Sequence, residues 1–131
     1  MGLEEHVVLP VLLDAWAKAG VPQIPQLGFG DAPVARRLRD VGEQRLADMD
    51  DQGVDVAVLS LATPGVQNLE PADAVSVARE ANDALAQVVS TNPHRFQALA
   101  AIPTPPPSGC GYRCTPPPWP GSAAPSTMWR N

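Results

Sequence analysis

The chain is predicted to be an α/β protein built on a parallel sheet, and three observations carry that prediction. Strand-like and helix-like stretches alternate along the first 102 residues, in the order strand, helix, helix, strand, helix, strand. The clearest strand, Val54 to Leu61, is apolar on both faces apart from Asp55 and Ser60, as a buried parallel strand is. The strands are separated by helical stretches long enough to serve as crossovers.

Each element has a local reason. Leu3 to Val8 reads as a first strand. Pro10 suits a helix's first turn, the stretch to Ala19 is helix-like, and Gly20 fits the position just past its end. Val21 to Pro33 is rich in Gly, Pro and Gln and reads as a loop. A second helix is predicted over Val34 to Gln52. On a helical wheel Val34, Leu38, Val41, Leu46 and Met49 fall within an arc of about 140°. Ala62 to Glu70 is a loop, and Pro71 opens a third helix along which Ala74, Ala78, Ala81, Leu85 and Val88 recur. Asn92-Pro93 breaks that helix, and Phe96 to Ile102 reads as a third strand.

The bulk numbers bound the function. The chain has 131 residues and a net charge of −5, the size of one domain. An acidic chain offers no electrostatic footprint for nucleic acid and no basic patch for an anionic membrane. No apolar run approaches the ~18 residues of a membrane helix. Acids come early, so a signal peptide is not expected, and a cytoplasmic location is.

Composition breaks at Pro103. Residues 103–131 hold nine of the sixteen prolines and contain no Leu, Ile, Val, Phe, Asp, Glu or Lys. Such a segment cannot bury enough apolar surface to offset its ordering entropy, so a disordered tail is expected after a folded unit at 1–102. Pro103-Thr104-Pro105-Pro106 has the spacing of a weak ligand for a polyproline-binding groove.

Leu3-Glu4-Glu5-His6 carries the sharpest chemical hint. Residues i and i+2 of a strand share a face, so Glu4 and His6 converge while Glu5 points away. A carboxylate oxygen and an imidazole nitrogen on one face make half of a divalent-metal site. By itself the pair reads first as an ordinary solvated strand end, and a metal role stands well behind.

Other polar residues have blander readings. His94 precedes the third strand, which places it at the end of the sheet opposite Glu4 and His6, as a surface loop residue. Cys110 and Cys114 lack a second pair and read as free thiols. Arg45 lies inside the apolar arc of the second helix, where snorkelling or ion pairing at the N-terminal face of the sheet is expected rather than catalysis. Asp48, Asp50 and Asp51 read as a solvated helix end. Trp16 and Phe29 flank the first loop as core or pocket wall.

The run Gly42 to Gln67 (GEQRLADMDDQGVDVAVLSLATPGVQ) resembles the first helix-to-strand unit of the metal-dependent aromatic-acid decarboxylases. These belong to the amidohydrolase superfamily, in the branch that holds the aminocarboxymuconate-semialdehyde, resorcylate and dihydroxybenzoate decarboxylases. Leu3 to His6 resembles that branch's first-strand Glu-x-His metal motif. Ala78 to Ala86 and Asn92 to Pro103 resemble its next helix and strand.

The resemblance implies the start of a (β/α)₈ barrel, with the active site at the C-terminal ends of the strands. It implies Glu4 and His6 as ligands of a divalent metal, zinc first, with manganese or magnesium as alternatives. It implies Ala62, Thr63 and Pro64 as a substrate-pocket wall, a small carboxylic acid as substrate, and a homo-oligomer for the full-length family. The reaction it implies is decarboxylation, with hydrolysis at the same kind of site, or a non-catalytic interaction protein using strand edges or the proline tail, as alternatives. No residue here matches the family's catalytic acid or its later metal ligands.

A barrel of this kind takes about 250 residues, and the body of this chain supplies only three strands. Open apolar edges on the first and third strands are therefore expected. A truncated, inactive chain is also expected, its tail being out-of-frame translation of GC-rich DNA. The other reading frames beyond the Pro103 codon would then encode an amphipathic helix and strand.

Overall fold

The computed structural model describes residues 2–104, with side chains from Glu5 onward. The expectations for the Pro-rich tail, Cys110 and Cys114 fall outside the described residues. Three strands, β1 (Gly2–Val7), β2 (Ala57–Leu61) and β3 (Phe96–Ala98), form one sheet in the order β1-β2-β3. Both pairings are parallel, as predicted. The helices are α1 (Pro10–Lys18), α2 (Pro33–Arg39), α3 (Glu43–Asp51) and α4 (Pro71–Thr91), with a short 3₁₀ turn at Pro25–Leu27. Proline opens α1, α2, α4 and the 3₁₀ turn, where its missing N–H costs nothing.

One apolar cluster covers the helix-bearing face of the sheet. Val7, Ala57, Leu59 and Phe96 meet Met49 of α3 and Ala81 and Leu85 of α4. Ala74, Ala78 and Ala81 are buried, and small side chains there let α4 lie close to its neighbours. A second cluster gathers Val8, Leu12 and Trp16 with Ala62, Val66, Leu69, Ala74 and Ala78. It ties α1 and the β2–α4 loop to the N-terminal half of α4.

By strand alternation the other face of the sheet carries His6, Val58, Ser60 and Gln97. His6 and Gln97 are exposed, and half-buried Val58 joins neither cluster. Among the described residues no helix is long and apolar enough to cross a membrane.

Three expectations need correction. The single helix over Val34 to Gln52 is two, broken at Asp40, whose backbone is extended (φ −80°, ψ 122°). The Asp40 carboxylate accepts the Gly42 N–H at 3.1 Å, a local turn that competes with the helix. The second strand starts three residues late, at Ala57, because the Arg95 guanidinium takes the carbonyls of Val54 and Asp55. The third strand stops at Ala98. Leu99 N–H still reaches Leu59 O at 2.9 Å, but beyond it the Asn82 amide takes both backbone groups of Ala101, at 2.8 and 3.0 Å.

Candidate functional site

His6 pairs in register with Ser60 and Val7 with Leu61, so both stand at the C-terminal end of the sheet. Alternation puts His6 and Ser60 on the face away from the helices; His6 is exposed and Ser60 buried. Glu5 falls on the opposite, helix-bearing face, where its carboxylate lies 3.6 Å from Arg45 Nη1. Glu4 lies in β1 within a stretch where the ladder shifts register, between Gly2 and Glu5, and its side chain is outside those described. The ladder is regular from Glu5 to Val7, which sets His6 opposite Ser60 and on the face away from Glu5.

The Ala62 to Pro64 loop leaves β2 at the same end. Ala62 N–H donates to Val7 O at 2.9 Å, which joins the loop to β1 directly behind His6. Ala62 itself is buried in the second cluster. Thr63 is exposed and Pro64 half-buried. These two border a concavity of about 350 Å³ with Ser60, Gln67, Leu99 and Ile102. The loop is held from below by Trp16, whose indole N–H donates to Gly65 O at 2.7 Å. Trp16 had been expected as wall or core; its role as a hydrogen-bonded prop has no signature in the sequence.

His94 stands at the other end of the sheet, as expected. Arg95, next to it, accepts the N–H of Ala57, the first residue of β2. His94 is exposed and borders a shallow concavity with Asp50, Gly53 and Asp55.

Arg45 forms the expected ion pair, with Glu5, but at the other end of the sheet from the one predicted. It sits in the first turn of α3, level with Glu5 and His6, rather than at the N-terminal end of the sheet. Its Nε donates to Asp40 O at 2.6 Å, and its Nη2 to Arg37 O at 2.8 Å and to His6 O at 3.4 Å. Burial pushes the guanidinium below its ordinary pKa, opposed by the charges of Glu5, Asp40 and Asp48. It stays protonated, because arginine ionises far above neutral pH. A long cation inside an apolar arc was the visible signal; the backbone carbonyls that it holds were not visible.

Among the described residues no three His, Cys, Asp or Glu side chains converge as a metal site. An imidazole and a carboxylate suit a divalent cation, but two donors leave most of its coordination shell to other groups.

No family model matches the chain. It is 37% identical over 108 residues to a gamma-resorcylate decarboxylase from Rhizobium radiobacter, a match covering 79% of this chain and 30% of that protein. The chain therefore spans about 30% of the length of the curated relatives it matches.

Among solved structures, it resembles a 5-carboxyvanillate decarboxylase from Novosphingobium aromaticivorans complexed with manganese and 4-hydroxy-3-methoxy-5-nitrobenzoic acid. There the TM-score is 0.64 at 28% identity, over 76% of this chain and 32% of the other. A dihydroxybenzoic acid decarboxylase from Polaromonas, with bound manganese and the inhibitor 2-nitroresorcinol, matches with a TM-score of 0.58 at 32% identity, over 78% of this chain and 30% of the other. The chain is thus a partial match to the resorcylate, dihydroxybenzoate and 5-carboxyvanillate decarboxylases of the amidohydrolase superfamily, and its three parallel strands correspond to the N-terminal third of their barrel.

Proposed function

We propose that residues 1–102 are the first-strand, metal-binding portion of a metal-dependent decarboxylase acting on small aromatic carboxylic acids. The observation that carries this reading is the position of His6. It stands on the helix-free face, at the C-terminal sheet end where the Ala62 to Pro64 loop departs, in a unit that matches manganese-bound aromatic-acid decarboxylases. His6 and Glu4 would hold the cation, and Thr63 and Pro64 would border the substrate. Ala62 would contribute through its backbone, since its side chain is buried. A cytoplasmic location goes with this reading.

Manganese is the ion we propose, in place of the zinc expected first. The solved relatives hold it, and mixed carboxylate and imidazole donors suit it. When bound, such a cation supplies a counter-charge for a substrate carboxylate and its neighbouring oxygen. The described donors supply only part of its shell, so residues beyond this unit must complete it.

A chimera tests the proposal. Residues 1–102 would replace the corresponding third of the Rhizobium radiobacter gamma-resorcylate decarboxylase. The folded chimera is expected to bind manganese and turn over, whereas the 131-residue chain alone is expected to show no turnover. In the chimera, His6→Ala or Glu4→Ala should each lower metal content and turnover by about 100-fold or more, above the ~10–100-fold typical of groups that merely support ligands. Glu5→Ala should change either far less. Equal losses for all three, or full activity without His6, would refute the assignment.

A further inference from the structure

We propose that Arg45 is a positioning residue for His6, acting on its backbone rather than on any bound ion. The inference rests on the reading of His6 as a metal ligand.

The argument starts from the outer edge of β1. In a parallel strand, successive residues turn their backbone groups to alternate sides. Val7 O faces β2, where it accepts the Ala62 N–H. His6 and Val8 therefore turn their backbone groups outward, away from the sheet. Val8 N–H is met by Leu38 O at 2.8 Å, and His6 O by Arg45 Nη2 at 3.4 Å. The end of α2 and the start of α3 thus take the place of a neighbouring strand at the very residue on which the metal reading depends.

The guanidinium suits this task. It is fixed by Arg37 O and Asp40 O, at 2.8 and 2.6 Å, through donors whose directions are set by one rigid plane. Its side chain is 12% exposed, too enclosed for a solvated lysine head to stand in unchanged. The same group attracts the Glu5 carboxylate at 3.6 Å, on the face opposite His6. Arg45 therefore sets how far β1 lies from α3 at His6, while its pairing with Glu5 stays on the helix-bearing face to which strand alternation already assigns that carboxylate.

Paramagnetic broadening by manganese in the labelled 131-residue chain reads this directly, because it detects weak binding residue by residue. In the wild type, low manganese should broaden residues around His6 and Ser60 before those around His94 at the other end of the sheet. In Arg45→Gln, with a retained dispersed spectrum, the half-broadening concentration should rise about tenfold, the lower end of the effect of ligand-supporting groups. Arg45→Lys keeps the charge but not the fork; it should fall between the two and carries the test if Arg45→Gln does not fold. A folded variant with an unchanged midpoint would overturn the positioning role while leaving the metal reading intact. Absence of focal broadening at His6 in the wild type would overturn both.

Discussion

Backbone carbonyls in this unit are repeatedly met by single side chains, and those side chains are where residue-level reasoning has most to say. Arg45, Arg95 and Trp16 each donate to main-chain oxygens across 39 to 49 residues of sequence. None could be assigned a partner from sequence, because a donor's residue type says nothing about which distant carbonyl lacks a mate. The residues at the C-terminal end of the sheet were more legible. Alternation alone separated Glu5 from His6, and the ladder agrees from Glu5 onward. Trp16 offers a clean check on a prop. Trp16→Phe keeps most of the apolar volume but removes the N–H that meets Gly65 O. Leaving that oxygen unmatched should cost about 1–3 kcal/mol. Thermal melting should show the loss, and faster amide exchange should be confined to the Thr63 to Val66 turn. Exchange that speeds up equally through α4 would mean that Trp16 acts as general packing and not as a prop for the loop.

At the scale of elements, every strand and helix-bearing stretch was legible from period and breaker residues, while the lengths of β2, β3 and the α2–α3 stretch were not. The break between α2 and α3 hid behind a continuous apolar arc from Val34 to Met49. Its only local sign was Asp40 two residues before Gly42, the Asx-turn spacing that the structure uses. The third strand was over-read for a similar reason. Phe96 to Ile102 is apolar apart from Gln97, yet Asn82 on α4 captures Ala101 and bends the chain away after Leu99. Asn82→Leu is isosteric enough to stay in the helix but supplies neither donor nor acceptor. It should cost about 1–3 kcal/mol for two lost bonds. The Ala101 amide should become freely exchanging, while the α4 amides stay protected. Retained protection at Ala101 would show that the sheet, not Asn82, holds this segment.

For the whole molecule, the decisive feature is the asymmetry between the two sheet edges. Open edges on both outer strands were expected from the strand count. The structure covers the C-terminal half of the β1 edge with Leu38 O and Arg45. At β3 the alternation set by Leu99 N–H and Arg95 O turns the Ala98 backbone groups outward. Beside that edge Leu99 is 54% and Ile102 69% exposed. Among the described residues nothing covers that edge, and an open edge flanked by apolar side chains is a template for pairing with another strand. In the matched decarboxylases the chain continues for roughly twice the length seen here. The 131-residue chain by itself should therefore self-associate through β3, with an apparent size that rises over the ~10–100 µM range in sedimentation. Ala98→Pro removes only an outward N–H, so it should leave the ladder to β2 intact and shift association to higher concentration. Arg45→Gln should instead open the β1 edge and strengthen association. If Ala98→Pro folds and associates as the wild type does, contact runs through the helix-free face of the sheet instead. Leu99→Lys should then weaken it, because that substitution places a charge on the face without removing an edge donor.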